Sequence, residues 1–412
     1  MKFIYVILFM LSLIILTVVA VSASDADNTT IQENGGILHT DSVIEQGLKV
    51  NNVMNDSIGS FVDLEDADGN VSVGSFVDLE DADGNVSVGS FVDLENDDGN
   101  VSVGSFEELA NLINSNSVIN LTKDYAASES DTGICINADI TINGNGHTII
   151  GNNKREIFTI EKGNVFLNDI VFKNGSASYG GAICGSNAGS VLTLNNATFL
   201  KNVAGVYGGA IYSRGNINIY NSTFIDNFAN HCGGAISTEG CLKINNTLFK
   251  SNIADYDYGG AISTFGSLNV FNSKFIGNLA DELGGAIYSY DSLIIKSCTF
   301  ESNKADDSSG GAIYIDKNKK NNKCEIIDSI FNNNSADNQG GAIFSYIDLD
   351  IKNSTFSYNV ANGSVPIEEG NDGGAIFSLN PMNITDSTFI GNYANDNGGA
   401  IYSYDSLIIK KM

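Results

Sequence analysis

Few side chains in this sequence are equipped for acid–base or covalent chemistry. Its 412 residues hold two arginines, Arg155 and Arg214, and three histidines, His39, His147 and His231, against 49 acidic residues. Cutting a polysaccharide takes a cluster of carboxylates, or a basic residue beside bound calcium, projecting from one surface. The one base beside a glycine-rich corner is His147, in Gly144-Asn145-Gly146-His147, and a turn role accounts for it without any chemistry. Stackable carboxylates such as Asp328 and Asp386 recur where other copies of a repeat carry Asn or Ser, which marks a structural column. No catalytic residue is therefore expected.

Metal and thiol chemistry fare no better. Asp66-x-Asp68-Gly69-Asn70-x-Ser72 resembles the opening of a calcium loop, but the sixth position is Val71 and the twelfth Val77, where such a loop needs glycine and glutamate. Cys135, Cys184, Cys232, Cys241, Cys298 and Cys324 have no metal-ligand spacing. Cys184 and Cys324 stand where other repeats place bulky apolar groups, so both are expected to pack; Cys232 and Cys241 lie close enough to bridge a corner, with free thiols as the default. Neither metal nor cofactor is expected. Two surface chemistries remain. Asn70, Asn85, Asn100 and Asn362 lie in Asn-x-Ser/Thr sequons within polar segments and are candidate glycan acceptors, whereas Asn196, Asn221 and Asn353 fall in a corner column committed to structure. Tyr288, Tyr290, Tyr314, Tyr402 and Tyr404 offer aromatic faces for glycans, or else a packed column.

The elements that carry these residues are set by a repeat. Gly-Gly-Ala-Ile begins at Gly180, Gly208, Gly233, Gly259, Gly284, Gly310, Gly340, Gly373 and Gly398, at spacings of 25 to 33 residues, and eight copies follow a Phe-x-x-Asn-x-Ala. A fixed period of this size marks a stacked solenoid. Seven residues before each phenylalanine stand Val165, Leu192, Ile217, Leu242, Leu268, Leu293, Cys324, Leu349 and Met382. Five before stands an unbroken aliphatic column from Leu167 to Ile384. That period of two is a strand with one buried face. Phe199, Phe224 and Phe275 open a second strand that Asn202, Asn227 and Asn278 end. The pairs Gly208-Gly209, Gly233-Gly234 and Gly284-Gly285 then turn the chain, because glycine accepts positive φ and close backbone approach. Three strands and three corners in about 25 residues predict an all-β, right-handed parallel β-helix of roughly eleven coils; the abundance of Asn, Gly, Ser and β-branched residues disfavours helix.

The paired motifs Phe-x-x-Asn and Gly-Gly-Ala-Ile resemble the repeats of the chlamydial polymorphic outer membrane proteins. With the lead-in Ile140 to Gly151, residues 105–412 also resemble the adhesin-like surface proteins of methanogenic archaea, on a pectin-lyase-like fold. The resemblance implies surface display and adhesion, with an unidentified cell-surface protein or glycan as partner. The periodicity alone implies a rod, so a purely structural envelope role and a polysaccharide-degrading enzyme stand as the alternatives.

The remaining features agree with export. Lys2 precedes a charge-free apolar run, Phe3 to Val21, and Ala23 ends a small-residue site, so residues 1–23 are read as a signal peptide, or as a membrane anchor if uncleaved. Residues 24–104 form an acidic, partly disordered segment that contains three 15-residue repeats over 59–103. From Ser24 to Asp131 there are 23 acidic residues and 2 basic, a local charge of −21, and the chain as a whole carries −28. Such a balance excludes nucleic acid and anionic membrane surfaces as partners. Ser105 to Ile113, with a serine cap and early acids, predicts a short helix within an N-terminal cap over 105–132, ahead of coils spanning 133–412. Gly398 to Lys410 repeats Gly284 to Lys296 without change and the sequence then stops inside a rung, as expected of a truncated copy.

Overall fold

The computed structural model describes residues 103–317, 324–363 and 370–411, together with the backbone of strands between 31 and 93. The chain divides into two units, 1–101 and 102–412. In the first, Lys49–Asp56, Gly59–Glu65, Ser72–Asp78 and Ser87–Asp93 pair in that order as an antiparallel sheet. Three of these strands lie in the 15-residue repeats, within the segment read from sequence as acidic and partly disordered. The signal segment, the acidic Asp66-x-Asp68 motif and the sequons at Asn70, Asn85 and Asn100 lie outside the described residues.

The second unit is the expected solenoid. Its strands form parallel sheets of 11, 22 and 9 members, each strand pairing with its counterpart one coil away. At about 4.8 Å per strand, the 11-stranded sheet extends ~50 Å. Helix α1, Phe106–Ser115, lies ahead of the coils; the Ser105 hydroxyl accepts the Glu108 amide at 3.1 Å, and Phe106, Leu109 and Ile113 enter the common core. Among the described residues no helix is long and apolar enough to cross a membrane.

Every coil repeats the same packing. The two aliphatic columns and the phenylalanines from Phe172 to Phe356 are almost fully buried. From Phe172 to Phe389 these rings stack at 4.7–4.9 Å, within 13° of parallel. The spacing is the inter-strand distance itself, so one residue type in register keeps each ring in contact with the next along the core. The phenylalanine sits in the middle of a three-residue strand such as Thr223–Ile225 rather than at its start.

Corner chemistry is strict. The residue three before each phenylalanine, from Asp169 to Asp386, is left-handed with φ of 46–54°, which Asn, Asp and Ser tolerate better than bulky residues. Their side chains, with neighbouring amides, form an exposed ladder: Asn246 donates to Asn221 Oδ1 at 2.9 Å, Asn196 to Asp169 and Asn353 to Asp328 at 2.8 Å. At the Gly-Gly corner, Gly208 has φ +67°, and a Cβ on Gly209 would lie 2.0 Å from the Gly234 carbonyl oxygen. The coils are therefore closer at this corner than any side chain allows.

The asparagine of Phe-x-x-Asn does more than end a strand. Asn202 through Asn359 are buried. Each Nδ2 donates both to the phenylalanine carbonyl one coil before and to the asparagine Oδ1 one coil after; for Asn278 these are Phe249 at 3.1 Å and Asn303 at 2.9 Å. Its own Oδ1 accepts from the Asn252 amide and the Asn252 Nδ2, at 3.1 and 3.0 Å. From Asn227 to Asn359 four hydrogen bonds per side chain tie three successive coils together; Asn202, at the head of the ladder, makes three, with its Oδ1 accepting the Gly175 amide. With that anchor next door, even Lys201 and Tyr358 adopt left-handed φ at the preceding position.

A candidate binding face on the glycine-corner sheet

The residues singled out as possible chemistry are dispersed by this fold. His147 Nδ1 meets Asp124 Oδ1 at 3.0 Å, and the same oxygen accepts the Thr148 amide, so the pair fastens one early coil to the next. His231 Nδ1 meets Asp257 Oδ2 at 2.9 Å, joining it to the next coil. Arg155 donates to the Glu129 carbonyl, and Arg214 stands 3.5 Å from Glu239. Among the described residues no three His, Cys, Asp or Glu side chains gather as a metal site. All six thiols are free, including Cys232 and Cys241. Cys324 is fully buried in the aliphatic column, whereas Cys184 is only half-buried and faces outward beside Tyr212. Burial lifts the Cys232 and Cys298 thiols to about 11, far from a nucleophile's range. Asn362 is exposed.

Phe199, Phe224, Phe275, their asparagines and the glycine pairs all belong to the scaffold just described. What the scaffold presents outward is most distinctive on the 11-stranded sheet. In Ile287–Ser289, Ile287 and Ser289 face the core and Tyr288 faces away. The same outward place holds Tyr314, Phe344, Phe377 and Tyr402 in the following coils. With Tyr258 these rings stack at 4.8–5.7 Å, within 21° of parallel. Tyr288, Tyr314, Phe344 and Phe377 are nonetheless at most 7% exposed, because Leu283, Tyr290, Tyr346 and Leu379 cover their edges. Of the two readings of these tyrosines, the stacked column is packing. Burial, reinforced by its hydrogen bond to Asp316, drives the Tyr288 hydroxyl far above the ordinary phenol range.

Of the covering residues, Tyr290, Tyr346 and Leu379 belong to a second column two positions further on. Strand register stacks Phe265, Tyr290, Asp316, Tyr346, Leu379 and Tyr404, each amide bonded to the coil before it. Phe265 is 50% exposed and Tyr404 75%. The Tyr346 ring lies at 62° to Phe344 and 70° to Tyr314, 5.1 and 6.1 Å from them, leaning across the edges of both. Beside it opens a cavity of 130 Å³ lined by Leu283, Ser308, Asn338, Tyr314, Phe344 and Tyr346. A larger crevice of 270 Å³ lies where the end of α1 meets Ile136 to Ile140, bordered by Asn114, Ser117 and Asp139 and lacking any aromatic wall. Sequence reasoning reached Tyr290 and Tyr404 but missed Phe265, Tyr346, Ser308 and Asn338. Reading the seventh residue of each Gly-Gly-Ala-Ile register would have found the aromatic ones.

Seven stretches match the model of the Chlamydia polymorphic membrane protein repeat: residues 196–214, 221–239, 272–290, 297–316, 328–346, 353–379 and 386–404. Each begins at a left-handed corner residue and ends just beyond the outward aromatic position, so the family's unit spans the phenylalanine strand, the asparagine ladder and the Gly-Gly corner. No curated protein and no solved structure matches the chain. The chain thus carries Chlamydia polymorphic membrane protein repeats strung on a parallel β-solenoid.

Proposed function

We propose that this is an exported, non-enzymatic adhesin-like protein of the cell surface, a right-handed, pectin-lyase-like rod that holds aromatic side chains and corner loops out toward other cells, glycans or matrix. The observation that carries the reading is the pairing of surface-protein repeats with exposed aromatic side chains such as Phe265 and Tyr404 on a uniform scaffold. A parallel crossover connection is right-handed in nearly all known cases, which supports that hand. Recognition residues commonly ride on loops and faces that a rigid scaffold positions. The acidic balance supports partners other than nucleic acid and anionic membrane. For the full chain, the reading expects labelling by a non-permeant reagent on intact cells, and adherence of beads coated with it to other cells. Purely intracellular protein, or coated beads that adhere no better than beads carrying albumin, would overturn it. New reducing ends released from polysaccharide would instead mark an enzyme.

A further inference from the structure

Resting on that reading, we propose a ligand class and a site: the column of Tyr290, Tyr346 and Tyr404 binds an extended, neutral or amino-sugar glycan laid along the rod. These three tyrosines occur in every second coil, with Asp316 and Leu379 between them. Two coils span about 10 Å, near the length of one disaccharide in an extended β-linked chain. Successive disaccharides of one strand therefore meet successive rings. Unlike the buried ladder, whose faces are spent on one another, Tyr346 lies at 70° to Tyr314 and 62° to Phe344, so neither of its faces is stacked on them, and it is only partly buried. Such a face suits the C–H side of a pyranose, and a polar handle beside it suits hydroxyls.

That handle is the adjoining 130 Å³ cavity, where the Ser308 hydroxyl and Asn338 amide stand beside Tyr314 and Phe344. Mixed aromatic and hydrogen-bonding walls are the usual composition of a small-ligand site. Its volume holds several waters, which the hydroxyl or acetamido substituent of one sugar would displace. Charge narrows the class. Among the described residues, Tyr258, at the head of the ladder, feels Glu282, Asp257 and Asp316, with Lys317 beside Asp316; Lys319, Lys320 and Lys323 of the same insertion lie outside the described residues. Uronic, sialic and sulfated sugars are disfavoured. An added peptide strand would need a free sheet edge, and every interior strand of this sheet is already paired on both sides.

The test titrates the full chain with chito-, cello- and manno-oligosaccharides and with acidic counterparts of equal length, using calorimetry together with tyrosine fluorescence, which no tryptophan obscures. Affinity should climb from monosaccharide to tetrasaccharide, as a second ring becomes reachable. Tyr346→Ala should weaken binding about tenfold, Tyr346→Phe should retain it, and Tyr220→Ala, elsewhere on the rod, should not change it. If Tyr346→Ala loses its β circular dichroism, Tyr404→Ala and Asn338→Ala take its place, being less engaged with the ladder. Preference for acidic sugars, no length dependence, or indifference to all of these variants overturns the proposal. Beads that adhere equally to cells stripped of glycans also overturn it while leaving the adhesin reading intact, and point to a protein partner. Glycan binding in solution without adherence supports the site and removes the adhesin reading; absence of both removes both.

Discussion

Replacing Asn278 by alanine probes the buried amide ladder directly. The substitution deletes four hydrogen bonds at a site 1% exposed: the two donated by Nδ2 to Phe249 and Asn303, and the two accepted by Oδ1 from Asn252. A typical buried hydrogen bond nets about 1 kcal/mol, so the loss is ~4 kcal/mol, and the stranded Asn252 amide and Phe249 carbonyl push it upward. In a solenoid, stability is a sum of neighbouring-coil interfaces, so the damage concentrates on the coils around Asn252, Asn278 and Asn303. Amide exchange measured by mass spectrometry should show the Asn252 amide exchanging about 10³-fold faster, while coils near Phe199 stay protected. Asn278→Asp, of the same shape, keeps the acceptor, removes both donors and buries a charge, so it should cost at least as much. Asn246→Gly serves as the comparison, since it removes only an exposed ladder bond and leaves the left-handed corner unstrained; its cost should stay below about 1 kcal/mol. Equal, small effects of the Asn278 and Asn246 substitutions, or an unchanged Asn252 amide, would refute the ladder as a stabilising element.

Gly209→Ala should destabilise by more than about 3 kcal/mol in urea unfolding, because its Cβ meets the Gly234 oxygen at 2.0 Å, whereas Gly205→Ala, 3.7 Å from its nearest atoms, should be close to neutral. Mild acid should raise the melting temperature of the solenoid. Burial first, and then neighbouring carboxylates, raise Asp281 and Glu282, while burial outweighs Lys304 at Asp337. With folded-state values above the unfolded ones, the folded chain binds more protons, so stability increases as pH falls from neutrality through the folded-state values of these groups; a melting temperature that falls between pH 7 and pH 5.5 would contradict this. Thiol labelling of the native chain should modify exposed Cys241 first and exposed Cys135 after it, whose thiol burial raises. Cys298, lifted to about 11, and fully buried Cys324 should react only on unfolding, and early labelling of Cys324 would place it outside the core.

The core was legible because each column is chemically uniform: Leu167 to Ile384 and Phe172 to Phe389 sit at constant distances from one another, and a period of two has one structural meaning. Asn202 and its equivalents were legible as a column but not as a buried one, since asparagine beside a strand ordinarily signals a turn, and only neighbouring copies on both sides satisfy its amide. The same limit hid Tyr346. A tyrosine seven places into the glycine register can be found by counting, but whether it stacks, as Tyr288 does five places in, or leans across its neighbours depends on what the adjacent coils carry. Neither Ser308 nor Asn338 has a motif of its own; the cavity they line is assembled by register across coils.

The three corners also differ in what they can absorb. The distance from Ile219 through Asn221 to Phe224 is the same in all nine copies, whereas the longer spacings of 30 and 33 residues arise after Asp316 and after Ala361. A left-handed residue flanked by two paired strands has no slack, but the other corners end in short strands whose next partner is fixed by its own ladder. Sequence length can therefore change at two of the three edges of this prism without disturbing register. Diversification has open ports there, and a foreign peptide spliced in after Asp316 or Asn362 would be carried on the outside at a height along the rod set in advance by the coil that bears it.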